Sequence, residues 1–172
     1  LYGNPSSMHE FGGQVMHALD KAREQVKDFL GARDAKEIIF TASGSEGDNM
    51  AIRGVLEANK NKKHIITTKI EHPAVLNVYK YLEKQGYDVT YLDVDSKGNL
   101  DLNQLAESIT DETALVSIMY ANNETGVILP VEKAAKIVKA KNPKIKFHSD
   151  AVQAAGKIPL DVKNTDIDLL TI

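Results

Sequence analysis

The sequence predicts an α/β fold: a mostly parallel sheet with helices on both faces. Two observations carry this expectation. Short apolar runs rich in Ile, Val and Thr alternate with longer stretches whose apolar residues recur at helical spacing. Small polar clusters follow the apolar runs, on the sheet edge where such folds bind ligands. No repeat, low-complexity tract or linker interrupts the pattern, so the chain reads as one domain over 1–172.

A first helix is expected over 14–30, where Val15, Ala18, Leu19, Ala22, Val26, Phe29 and Leu30 share a face and Gly31 stops it. Ile38-Ile39-Phe40-Thr41 reads as a short strand. A helix follows over 45–59, with Ser45 placed to cap it and acids in its first turn. Ile65 to Thr68 is a strand. Pro73 opens the next helix and Gly86 closes it. Strands at 89–92 and 114–120 flank a short helix at 102–108. A helix over 131–140 buries Val131, Ala134, Ala135 and Val138, and strands at 145–147 and 169–172 complete the set.

Composition narrows the function. The 172 residues carry a net charge of −3 with both signs interspersed, and no basic or aromatic-basic run points to nucleic acid. No apolar stretch reaches the length of a membrane span and no signal peptide is visible, so a cytoplasmic protein is expected. With no cysteine in the sequence, disulfides, thiolate metal sites and a cysteine nucleophile are excluded within these residues. The five histidines lack metal-ligand spacing, so no metal is expected.

Four polar clusters carry candidate chemistry. In Ser43-Gly44-Ser45-Glu46-Gly47-Asp48-Asn49 a turn enters a helix whose first amides and macrodipole favour an anion. Gly44 would let the backbone approach a phosphate and Ser45 would add a hydroxyl, with Glu46 pointing away. The pattern is neither a Walker A loop nor GxGxxG, which disfavours nucleotides. Glu71-His72-Pro73 sets an imidazole at a helix start, where it would stack on an aromatic ligand and relay protons. Asn122-Asn123-Glu124-Thr125-Gly126 offers amides to a phenolate or carboxylate, or simply builds a turn. Asp150, in His148-Ser149-Asp150-Ala151-Val152-Gln153, falls at a strand end, where a carboxylate would hold a pyridinium nitrogen protonated. Such a pair at about 4 Å is worth roughly 4 kcal/mol at an effective dielectric of 20, before desolvation. Gln153 would donate to a ring hydroxyl oxygen.

These clusters, with Asn4-Pro5-Ser6-Ser7 and His9 before them, occur in an order that resembles the cysteine desulfurases, pyridoxal-phosphate enzymes of the class V aminotransferase group. The resemblance covers essentially the whole chain. It implies the large cofactor-binding domain of a type I homodimer, with Gly44 and Ser45 on the phosphate and His72 stacked on the ring as the catalytic residue. Asp150 would pair with the ring nitrogen, Gln153 with the ring hydroxyl, and Asn123 would lie near the hydroxyl and the substrate carboxylate; family spacing favours Asn123 over Asn122. It further implies L-cysteine as substrate, alanine as product, and a persulfide passed to a sulfur acceptor or iron–sulfur scaffold protein.

Two parts of the family pattern fall outside these residues: the lysine that bonds the cofactor, which follows a strand like Asp168-Leu169-Leu170-Thr171-Ile172, and the persulfide cysteine. Lys157 sits at a different family position. Both ends read as interior to a longer protein, so an internal fragment is expected, inactive alone and weak or silent toward pyridoxal phosphate. The alternatives are a selenocysteine lyase or other class V lyase or transaminase, and a non-catalytic scaffold that kept the pocket. A dinucleotide-binding domain is disfavoured because no GxGxxG follows the first strand.

Overall fold

The computed structural model describes residues 2–172, which form two compact units. The smaller comprises the residues up to Phe40 together with Leu160–Asn164; the larger comprises Thr41–Pro159 and Thr165–Ile172.

In the smaller unit, helix α1 spans Glu10–Leu30, one turn longer at its start than the spacing predicts. Gly12 and Gly13, just before the expected start at residue 14, lie inside α1. A Cβ on Gly12 would stand 2.5 Å from the carbonyl oxygen of Asn4 and 2.8 Å from Ser7, so the preceding loop packs directly on the helix backbone there. A 3₁₀ turn at Ala35–Glu37 follows. Residues 38–41, expected as a strand, are not one. Ile38 is extended, but its N–H returns to Ala35 and its carbonyl accepts from Arg23 Nε. Without a pairing partner the segment has no ladder, and Ile39 and Phe40 stay exposed.

The larger unit is built on a five-stranded parallel sheet in the order β2-β1-β3-β4-β5. The strands are β1 His64–Thr68, β2 Asp88–Leu92, β3 Thr113–Ser117, β4 Lys146–Asp150 and β5 Leu169–Thr171. The helices are α2 Gly44–Ala58, α3 Pro73–Lys84, α4 Leu102–Ser108 and α5 Val131–Lys141. The burial of β1 and β3 is complete along their lengths, as expected of central parallel strands. One core joins Ile52, Val55 and Leu56 of α2 and Val75, Val78, Tyr79 and Leu82 of α3 to Ile65 and Leu115. Each buried Ile, Leu or Val contributes roughly 1.5–3 kcal/mol. Leu105 of α4 and the apolar face of α5 are likewise buried. The α/β expectation is borne out.

The strand order fixes where a ligand would go. From β1 the chain crosses through α3 to β2 on one side; from β3 it crosses through α5 to β4 on the other. Right-handed crossovers in opposite directions lie on opposite faces. The loops leaving β1 and β3 therefore diverge at a topological switch point, at the carboxyl edge of the sheet. Among the described residues, no helix is long and apolar enough to cross a membrane, and no group of His, Cys, Asp or Glu is arranged to hold a metal.

Candidate functional site

The helix start at Ser43-Gly44-Ser45 differs in detail from its sequence reading. The cap is Ser43, not Ser45: the Ser43 hydroxyl accepts from Glu46 N–H at 3.2 Å, and the Glu46 carboxylate accepts from Ala42 N–H at 2.5 Å. This reciprocal arrangement turns Glu46 back onto the preceding loop. The N–H groups of Gly44 and Ser45 are the two first-turn donors that neither the cap nor the helix satisfies. A Cβ on Gly44 would come within 2.9 Å of Val152 Cγ2. The glycine thus lets the start of α2 close against the turn that follows Asp150.

His72 is the N-cap of α3. Its Nδ1 accepts the Ala74 N–H at 3.2 Å, so the neutral ring carries its proton on Nε2. The ring is exposed, and Pro73 fixes the backbone beneath it. Asp150 ends β4 and is buried except for a small fraction of its surface. Its Oδ1 accepts the Val152 N–H at 3.0 Å. Burial raises its pKa above the ordinary carboxylate value, opposed by the Val152 hydrogen bond and, less, by the His72 ring. Both groups lie at the carboxyl ends of parallel strands, His72 beyond β1 and Asp150 at the end of β4.

The two asparagines divide the work of their loop. Asn122 is buried: its Oδ1 accepts from Glu124 N–H at 3.1 Å, Thr125 N–H at 2.9 Å and the Thr125 hydroxyl at 3.0 Å, while its Nδ2 donates to the Ile70 carbonyl at 2.9 Å. Asn123 is exposed and enters none of these bonds. Gln153 is half-buried, and its Oε1 accepts from the exposed Lys157 Nζ at 2.6 Å, which leaves its amide hydrogens free to donate.

Beneath these groups lies a layer that sequence reasoning did not single out. His148 of β4 is fully buried, with Nδ1 2.8 Å from Ser117 Oγ and Nε2 3.0 Å from Thr171 Oγ1. Burial pushes its pKa down to about 4. Asp48 of α2 is buried beside it and is pushed up to about 7, first by burial and then by Asp150. Glu71 is buried too and is pushed up to about 8, again by burial first, with Asp150 and Asp48 adding to the rise. The signal in the sequence was positional. Asp48 falls on the inward face of α2, four residues before Ile52, and His148 directly follows the buried Phe147 in a central strand.

The sequence model of the aminotransferase class-V family matches residues 1–172. The cysteine desulfurase of Nostoc sp. is 61% identical over 171 residues, covering 99% of this chain and 42% of the relative. The cysteine desulfurase NifS of Azotobacter vinelandii is 50% identical over 171 residues, with the same shares. Among solved structures, a NifS-like protein superposes with a TM-score of 0.94 at 44% identity, over 99% of this chain and 47% of that one. SspA in complex with cysteine superposes with a TM-score of 0.91 at 39% identity, over 99% and 49%. The chain spans less than half the length of these relatives.

Proposed function

The chain belongs to the aminotransferase class-V family, and we propose that it supplies most of the cofactor-binding domain of a pyridoxal-phosphate-dependent cysteine desulfurase. The observation that carries this reading is what the carboxyl edge of the sheet presents: an exposed imidazole capping α3 just beyond β1, and a buried carboxylate with one oxygen uncommitted at the end of β4. The donor set fits pyridoxal phosphate. Two unsatisfied amides at Gly44 and Ser45 suit a phosphate, and a carboxylate with one oxygen uncommitted suits a ring N–H.

In this reading Gly44 and Ser45 hold the phosphate and His72 covers the ring. Asp150 keeps the ring nitrogen protonated, while Gln153 and Asn123 donate to the ring hydroxyl and the substrate carboxylate. Bound pyridoxal phosphate supplies the electron sink that lets bonds at the substrate's α-carbon and beyond be broken. Burial of Asp150 in a low-dielectric setting strengthens its hold on the ring nitrogen. His72, with Nδ1 committed to Ala74, can move a proton only at Nε2. The whole protein would act on L-cysteine as a homodimer and pass sulfur, as a persulfide on a cysteine outside these residues, to an acceptor such as an iron–sulfur scaffold. The names of the Nostoc and Azotobacter relatives support the cysteine desulfurase activity in this reading.

The test uses the intact protein loaded with pyridoxal phosphate. L-Cysteine with a thiol reductant should yield alanine and sulfide in equal amounts, and L-selenocysteine run in parallel reports the selenocysteine lyase alternative. Cofactor bound firmly without alanine from either substrate would overturn the reading in favour of a silent scaffold.

A further inference from the structure

The loops that leave β1 and β3 diverge at the switch point, which ordinarily opens a cleft between them. Here two hydrogen bonds sew them together. Glu71 Oε1 accepts the Met119 N–H, beyond β3, at 2.8 Å, and Asn122 Nδ2 donates to the Ile70 carbonyl, beyond β1, at 2.9 Å. The same Glu71 oxygen also accepts the Thr68 hydroxyl at 2.9 Å, so one buried carboxyl group spans the end of β1, its own loop and the start of the next. Glu71 immediately precedes His72, and Asn122 immediately precedes Asn123.

We propose that Glu71 is a positioning residue: its carboxyl group locks the loop that carries His72 to the loop that carries Asn123, and so sets where the imidazole stands over the cofactor site. The inference rests on the cofactor reading above. Burial pushes the Glu71 acid up to about 8, which favours its neutral form near pH 7. Its surroundings are buried, the titratable groups facing it are the acids Asp48 from α2 and Asp150 from β4, Tyr79 of α3 adds no positive charge, and no cation pairs with it among the described residues. Both hydrogen bonds arrive at Oε1, which leaves the proton to Oε2, an atom with no partner. A neutral acid with its carbonyl oxygen doing the bonding has a close mimic in glutamine.

The experiment compares Glu71→Gln, Glu71→Ala and Thr68→Val in the intact protein. The readouts are the dissociation constant for pyridoxal phosphate and the pH midpoint of its visible absorption band. Glu71→Ala should weaken cofactor binding by about tenfold and shift the band's midpoint, because it strips the loops of two hydrogen bonds and leaves the Met119 N–H buried and unpaired. Glu71→Gln should restore both readouts to within about threefold of the parent, and Thr68→Val should fall between, since it removes one of the two bonds. If the parent binds no pyridoxal phosphate, the cofactor reading and this inference fail together. A parent that binds and a Glu71→Ala protein that binds equally well would overturn the inference alone, as would a Glu71→Gln protein as impaired as Glu71→Ala. Should Glu71→Ala fail to fold, the other two variants decide: Thr68→Val without any effect on the cofactor overturns the proposal.

Discussion

Asp48 Oδ1 lies 3.6 Å from His148 Nε2, with both side chains buried, yet the two do not form a charged pair. Burial pushes His148 down to about 4, so the imidazole is neutral at pH 7, while it raises Asp48 to about 7. The short distance alone reads as a salt bridge. The absence of solvent around the ring decides otherwise, because a buried ion pair must recover the desolvation of both partners.

Stability should therefore fall as pH rises through neutrality. Asp48 and Glu71 have folded pKa values raised from 3.8 to about 7 and from 4.5 to about 8. Their contributions are complete below the ordinary carboxylate values and are lost as pH rises through the folded ones. His148, lowered from 6.5 to about 4, works the other way: its contribution is present above 6.5 and lost as pH falls. Of these three groups only the two acids still titrate between about pH 6.5 and pH 8, and both cost stability. Asp48→Asn should thus gain on the parent between about pH 5 and pH 8, by on the order of 1–3 kcal/mol. Urea unfolding of both proteins at the two pH values measures this. A difference that does not change with pH would show that Asp48 is already ionised in the fold.

Gly44→Ala should destabilise the chain by about 1–3 kcal/mol, through overpacking against Val152 rather than through helix propensity, which favours alanine. Because the clash is with one methyl group of a half-exposed side chain, Val152→Ala in the same protein should recover most of the loss. A double-mutant cycle of unfolding free energies checks the coupling. Additive losses would mean that the glycine serves something other than this close approach.

Asn122 and Asn123 should separate stability from binding. Asn122→Ala removes three accepted bonds and the bonds donated to the Ile70 carbonyl and the Met119 sulfur from a buried turn, and should cost about 2–4 kcal/mol in unfolding. Asn123→Ala, at an exposed position, should change stability by no more than about 0.5 kcal/mol. In the intact protein it should instead raise KM for L-cysteine or weaken the cofactor. Equal thermal shifts in both variants would reverse the assignment of roles within the pair.

Much of this was legible in the chain. Ile65, Val116 and Phe147 announce central strands, and helix limits at Pro73, Leu102 and Val131 are written in local chemistry. Asp150 was readable as a strand-end carboxylate for the same reason. The failures are where a neighbour distant in sequence decides. Residues 38–41 have strand composition but no partner to pair with, and the first turn of α1 begins before residue 14, where the loop at Asn4 and Ser7 packs on Gly12. Ser45 had the right chemistry for a cap, but Ser43 holds the extended backbone that a cap requires. The buried layer of Asp48, Glu71 and His148 escaped notice because each looks like an ordinary polar residue until the fold removes its water.

Asp150 and Gln153 stand three residues apart and should differ greatly in weight. Asp150 presents a carboxyl group from a buried strand end that would pair as a charge with a ring N–H, whereas Gln153 offers a single neutral amide whose oxygen is held by Lys157. One neutral hydrogen bond is worth about 0.5–1.5 kcal/mol net, and a close charge pair roughly 4 kcal/mol before desolvation. In the intact protein, with cofactor occupancy matched, Gln153→Ala should slow single-turnover alanine formation by about tenfold at most, and Asp150→Ala by at least a hundredfold. Lys157 refines the test. Its amine lies 2.6 Å from the Gln153 oxygen and is exposed, so it steadies that amide, and on the proposed reading it takes no part in the cofactor's covalent attachment. Borohydride reduction of the loaded protein followed by peptide mapping should leave Lys157 unmodified, and Lys157→Met should reproduce the mild Gln153→Ala phenotype. A stoichiometric cofactor adduct on Lys157, or a Lys157→Met protein as impaired as Asp150→Ala, would move the covalent chemistry to this lysine and overturn the ranking.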